Sequence, residues 1–226
     1  MKRNQSGFTL IEIAIVLVII GLLLGGVLKG QELINSAKVK NLANDFKNIP
    51  VFIYGYQDKY RALPGDDTKA NTNVNGELGA PASDLGNGVI DGSWNTTTDT
   101  DEAFLFWQHV RLANLAPGST DQTADDYIPT NAIGGIIGIQ SGTTDVLKTP
   151  INATAGTKPI RGSYVICSAG ILGKFVKQLD IRMDDGNTAS GSMMAGKAEA
   201  VVGDPMTAEL TTAIDDAVTY TVCMGV

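Results

Sequence analysis

The most apolar part of the chain lies near its N-terminus. After the short polar stretch MKRNQSG, a run from Phe8 to Leu28 contains almost no polar residue except Thr9 and Glu12. A hydrophobic run of this length is enough for an α-helix to cross a bilayer. Two basic residues precede the run, and positive charge on that side keeps the N-terminus cytoplasmic and places the remaining chain outside. We therefore expect a retained, single membrane span.

Helical spacing of apolar residues continues beyond this run, but now on one face only. The residues on that face are Ile34, Leu42, Phe46, Ile49, Ile53, Tyr56 and Tyr60. Charged residues occupy the other faces, so the pattern predicts an amphipathic helix over residues 29–62 that docks on a globular head. Pro50 lacks a backbone donor and is expected to kink or loosen this helix, which the sequence ALPGDD at 62–67 then ends.

Residues 63–226 show the pattern of an α+β head with many turns and short strands. Turn-forming residues are plentiful from residue 65 onward, and β-branched apolar runs lie between them. The strand candidates are 132–140, 163–169, 174–183 and 217–226. A helix is predicted within residues 98–118, with Asp99 and Glu102 as a capping box. Its expected buried face consists of Phe106, Trp107, Val110 and Ala113, and His109 is interpreted as a packing or surface residue.

Charge and motif content narrow the range of functions. The net charge is −7, which argues against nucleic acid as the main partner. The chain has no G-x-S-x-G motif, no Walker loop and only one histidine, so we predict no enzymatic activity.

Two acidic, Gly-rich stretches carry oxygen side chains that calcium could use. Asp84, Asn87 and Asp91 lie in the first stretch, and Asp184 and Asp185 lie in the second. Neither stretch has the spacing of an EF-hand loop, so turn formation is the favoured interpretation and no other cofactor is expected.

Cys167 and Cys223 are the two cysteines of the chain. If the head is exported, an oxidising compartment favours a disulfide between them. A pair of buried thiols is the alternative.

The stretch KRNQSGFTLIEIAIVLVIIGLLL resembles the N-terminal signature of type IV pilins and of the related pseudopilins of type II secretion systems. The resemblance covers roughly residues 2–30. It implies that a prepilin peptidase cuts between Gly7 and Phe8 and that the new N-terminal Phe8 is N-methylated. It also implies that Glu12 neutralises the Phe8 amine of an adjacent subunit during assembly.

One feature departs from many pilins, which carry a proline within the apolar helix. This chain has no proline before Pro50. Four glycines are candidates to loosen the helix instead, because each glycine weakens a helix by about 1 kcal/mol. They are Gly21, Gly25, Gly26 and Gly30.

The resemblance also implies an antiparallel sheet in the head, a division of the chain and a function. Residues 1–7 are the leader, 8–28 the transmembrane and filament-core helix, 29–62 the docking helix and 63–226 the head. The expected protein is a structural subunit of a type IV pilus-like filament that serves adhesion, motility, DNA uptake or secretion. An inner-membrane platform and its cytoplasmic ATPase would assemble it, with the head periplasmic before assembly. The alternatives are a secretion pseudopilin and a membrane-anchored binding module that does not polymerise.

Overall fold

A computed structural model of the chain describes residues 10–153, 158–197 and 202–226. The helices in these ranges are α1 (Leu10–Tyr60), α2 (Ala70–Asn73), α3 (Glu102–Leu112) and α4 (Gly173–Met183). The strands are β1 (Ile137–Ser141), β2 (Ile151–Asn152), β3 (Tyr164–Leu172), β4 (Met193–Gly196), β5 (Met206–Thr207) and β6 (Thr219–Gly225). A long N-terminal helix with an antiparallel sheet confirms the predicted α+β, pilin-like layout.

Helix α1 is continuous over 51 residues and includes Pro50. The chain separates into one unit that reaches Lys38 and a second unit from Val39 to Val226. Within the second unit, the buried face of α1 consists of Val39, Leu42, Ala43, Phe46, Ile49, Ile53 and Tyr56. The predicted amphipathic stripe is confirmed from Leu42 to Tyr56, but Ile34 is exposed. Within the described part of α1, burial begins at Val39.

Four strands form one antiparallel sheet in the order β1-β3-β6-β4, while β2 and β5 form a separate parallel pair. Successive side chains of a strand point to opposite faces of its sheet. On one face, Ile166 and Val222 belong to a large apolar core that also contains the buried face of α1. On the other face, Val165 and Met194 belong to a smaller core with β2 and β5. The sheet is therefore buried on both sides.

Residues 174–183, predicted as a strand, form helix α4. Phe175, Val176 and Leu179 are buried and recur at helical spacing, whereas Ile181 is 70% exposed. One amphipathic face in contact with the sheet thus outweighed the apolar, β-rich character of the segment. The fourth strand of the sheet is β4, which has four residues and which the sequence pattern did not indicate.

Helix α3 was predicted correctly, but its N-terminus differs from the expectation. The N-cap residue is Asp101, so the predicted capping box of Asp99 with Glu102 is wrong. The side chain of Glu102 instead accepts a hydrogen bond from the backbone N–H of Asp91 at 2.9 Å. Burial extends around the whole helix from Glu102 to Arg111 and includes the expected apolar face.

Candidate functional site

The first part of α1 exposes an unusually apolar surface. Between Leu10 and Leu28, the large hydrophobic side chains are exposed by 47% or more, and Leu10 reaches 92%. The most apolar window of this helix has a mean hydropathy of 2.8, so by length and composition the helix can cross a membrane. Contiguous apolar surface of this kind marks a site of contact with lipid or protein.

Glu12 lies in the first turn of α1 and faces outward on this surface. A carboxylate at this end of a helix is favoured by the helix dipole. Gly7 and Phe8, the predicted sites of cleavage and methylation, lie outside the described residues. Their arrangement relative to Glu12 therefore stays a prediction.

The glycines of α1 form two pairs with four-residue spacing. Gly21 is followed by Gly25, and Gly26 is followed by Gly30. The helix continues through all four, and a Cβ atom added to any of them would meet no atom of the described ranges within 4 Å. Small residues at this spacing allow two helices to approach closely within a membrane. This signal was visible in the sequence, where the glycines had been considered only as helix-weakening residues.

Cys167 and Cys223 form a disulfide across the centre of the sheet. They are directly opposed on β3 and β6, and both are completely buried. The bond joins residues 56 positions apart and attaches the C-terminal strand to the sheet. A disulfide fits a protein whose head lies in an oxidising compartment.

His109 is a buried connector within the head. Its Nδ1 accepts the backbone N–H of Gly65 at 2.9 Å, and its Nε2 lies 2.8 Å from the carbonyl oxygen of Glu77. These partners require a neutral ring with the proton on Nε2. Burial lowers the pKa of His109, which agrees with the neutral form. The expectation of a satisfied packing residue is confirmed.

A second buried contact anchors the segment that follows α1. Tyr56 donates its hydroxyl proton to Asp67 at 2.8 Å, and Asp67 also accepts the backbone N–H of Lys69 and the side-chain amide of Asn73. Burial, followed by the bond to Asp67, raises the pKa of Tyr56. The sequence pattern placed Asp67 only in a helix stop, whereas its hydrogen bonds fix the segment against α1.

The calcium candidates of the first acidic stretch take part in local hydrogen bonds. Asp84 accepts from the hydroxyl of Ser83 at 3.0 Å, and Asn87 donates its side-chain amide to Asp91 at 2.9 Å. These bonds fit the turn interpretation.

The candidates of the second stretch do the same. Asp184 accepts from the hydroxyl of Ser192 and from the backbone N–H of Met193, and Asp185 accepts from the backbone N–H of Asn187. Across the described ranges, no group of three or more His, Cys, Asp or Glu side chains is arranged to hold a metal ion. Calcium binding stays a prediction without a defined ligand set.

Residues 2–28 match the prokaryotic N-terminal methylation motif, which is the signature of type IV pilins and pseudopilins. Comparison with curated proteins and with solved structures yields no match for the chain. The motif coincides with the apolar segment of α1 and supports a protein of the pilin or pseudopilin class. It implies processing by a prepilin peptidase, membrane anchoring and assembly into filaments. This signature is typical of structural proteins and not of enzymes.

Proposed function

We propose that this chain is the structural subunit of a type IV pilus-like filament. Prepilin peptidase cuts it between Gly7 and Phe8 at the cytoplasmic face of the inner membrane, and Phe8 is then N-methylated. The mature subunit stays anchored by residues 8–28 until a platform driven by an ATPase moves it into the fibre. The observation that carries this proposal is the match of residues 2–28 to the methylation motif, on a helix whose apolar side chains lie exposed.

The exposed surface supports assembly because it must be covered in every state of the protein. Lipid covers it before assembly, and the same segments of neighbouring subunits cover it in the fibre. Both environments are apolar, so the hydrophobic effect hardly distinguishes them. Close packing and polar contacts between helices must therefore favour the fibre.

Glu12 supplies such a polar contact in this proposal. Cleavage before Phe8 creates a positively charged amine at the end of an apolar helix. Two opposite charges attract strongly in a medium of low dielectric, where either charge alone is costly. Pairing of Glu12 with the Phe8 amine of a neighbour thus favours the assembled state and sets the register between subunits.

We favour a pilus over a secretion pseudopilus because the head is bulky and carries a cysteine pair towards its C-terminus, joined between two adjacent strands of its central sheet. The disulfide itself suits either fibre, because both lie in an oxidising compartment. A pseudopilin remains the second candidate because it carries the same N-terminal signature. In that case the fibre stays within the periplasm.

Electron microscopy of sheared cells, with mass spectrometry of the sheared material, tests the proposal. We expect surface filaments whose subunit begins at Phe8, carries one additional methyl group and depends on the cell's prepilin peptidase. Processed subunit that is confined to the periplasm would indicate the pseudopilin. A chain that keeps residues 1–7 in cells with an active peptidase would refute both functions and favour a simple membrane-anchored module.

A further inference from the structure

Asp66 holds a neighbouring loop through backbone hydrogen bonds. Its carboxyl group accepts the N–H groups of Gly86, Asn87 and Gly88, the last at 2.7 Å. The residue is only 4% exposed. Three N–H donors around one carboxylate supply the charge stabilisation that water would otherwise give. The segment after α1 is thereby fastened to residues 86–88.

Glu102, in the first turn of α3, is a second buried carboxyl group at the same place. It is 3% exposed, its Oε2 accepts the N–H of Asp91, and its side chain is within hydrogen-bonding reach of Asp66. Two carboxyl groups can share a hydrogen bond only if one of them carries a proton. Asp66 has three N–H donors and Glu102 has one, so Glu102 is the better proton carrier.

Two neighbouring carboxyl groups carry the same sign of charge as ionised Glu102. Asp66 approaches from the segment after α1, and Asp91 approaches from the loop that precedes α3. Asp101, the N-cap residue of α3, accepts a hydrogen bond from the hydroxyl of Thr96. The ion pairs of the described residues give neither Asp66 nor Glu102 a basic partner. Burial, and then the nearby Asp66 and Asp91, raise the pKa of Glu102 to about 7, although the Asp91 N–H partly opposes this effect.

We propose that Asp66 and Glu102 form a proton-sharing latch that fastens the 86–88 loop to α3 and opens when the pH rises above neutral. In the closed state, Glu102 donates its proton to Asp66, and Asp66 accepts the three loop N–H groups. Loss of that proton leaves two buried carboxylates next to each other, and their like charges repel. The loop, which is held mainly by Asp66, then loosens.

The direction of the pH effect follows from the raised pKa. In the unfolded chain Glu102 returns to its ordinary pKa of 4.5. Its contribution to stability is fully present below that value and is lost as the pH rises through about 7. The latch is thus closed at pH 5 and open at pH 8.5.

The test uses the full-length chain in detergent, with a chelator, and follows thermal unfolding from pH 5 to pH 8.5. Glu102→Gln keeps both hydrogen bonds, because its amide can donate to Asp66 without titrating. Between pH 5 and pH 8.5, the Tm of the wild type should fall by roughly 5–10 °C more than the Tm of Glu102→Gln. The matched control is Asp180→Asn, at another buried carboxyl whose pKa burial raises to about 6. It should keep the wild-type loss between pH 6 and pH 7, where Glu102 still titrates and Asp180 no longer does.

Two further measurements make the outcome decisive. Carboxyl NMR of the wild type should show Glu102 titrating near pH 7, and amide exchange at Gly86 and Gly88 should accelerate at least tenfold beyond the intrinsic pH dependence. Parallel Tm profiles for wild type and Glu102→Gln, or titration of Glu102 near 4.5, would overturn the proposal. If Ca²⁺ alone raised the wild-type Tm at pH 8.5 back to its value at pH 5, this result would also overturn the proposal. Asp66 and Glu102 would then bind a cation instead of sharing a proton.

Discussion

The first half of α1 and helix α3 reverse the usual relation between polarity and burial. The apolar residues from Leu10 to Leu28 lie exposed, whereas α3 buries Glu102, Gln108, His109 and Arg111. Each of these four buried polar side chains of α3 has a hydrogen-bond partner. Arg111, for example, donates to the carbonyl oxygens of Pro117, Ser119 and Tyr127.

This difference separates two tasks within one chain. Helix α3 satisfies its polar groups inside the head, so its structure depends on contacts within the subunit. The first half of α1 instead exposes its large apolar side chains along its length. In the proposed function, lipid or other subunits cover this surface. Variants in α3 should therefore change folding, and variants in the first half of α1 should change assembly.

The largest expected effect is on assembly. Glu12→Val should nearly abolish filaments while membrane insertion is unchanged or improved, since a charge in an apolar segment opposes insertion. Breaking a buried ion pair costs about 3–5 kcal/mol for each subunit added. Filament yield against membrane-bound subunit measures the effect, with processing checked separately.

Glu12→Gln is the matched control for charge, because it keeps a hydrogen bond and should give an intermediate yield. Normal filaments from Glu12→Val would show that Glu12 is not needed for assembly, contrary to the role given to the first half of α1.

The next largest effect concerns the disulfide of the head. Cys223→Ser should lower the free energy of unfolding by about 4 kcal/mol in the chain-entropy treatment for a loop of this length. Denaturant unfolding of the full-length chain in detergent measures the change. The double variant Cys167→Ser/Cys223→Ser should be about as unstable as the single variant. Equal stability of wild type with and without reductant would contradict this prediction.

A smaller effect is expected at His109. His109→Leu leaves the Gly65 N–H and the Glu77 carbonyl without partners, which should cost about 2–4 kcal/mol. Because burial lowers the pKa of His109, its contribution is present above the ordinary value of 6.5 and is lost as the pH falls below it. The wild type should therefore lose Tm on acidification from pH 7 to pH 5 more steeply than His109→Leu. If the two proteins had parallel profiles of Tm against pH, His109 would not be held in its neutral form.

The smallest effect is expected at the glycine pairs. A Cβ atom at Gly25 meets no atom of the described residues within 4 Å, and Gly25→Leu removes a helix-weakening residue, so membrane-bound subunit should be unchanged. Close approach of neighbouring helices should suffer, which lowers filament yield several-fold. Val18→Leu adds bulk at an already large exposed residue and serves as the control. Equal yields from both variants would exclude close packing at Gly25.

The sequence by itself determined the features that depend on local pattern. The methylation motif, the apolar run and the stripe from Leu42 to Tyr56 are contiguous or periodic, so a short window contains the whole signal. The disulfide was the favoured interpretation of the two cysteines because an exported head would lie in an oxidising compartment. The segment 174–183 shows the limit of this approach, since its residues suit a strand and a helix equally well and contact with the sheet decided between them.

Only the tertiary structure decided which polar residues lie inside the head. Asp66 and Glu102 are 36 positions apart, and Gly65 and His109 are 44 positions apart, so no local pattern links them. Their burial is favourable only because the fold brings a donor and an acceptor together after long loops have closed. The apolar segment needed no such closure, because a contiguous run of residues sets its character, and α1 exposes that run along its length.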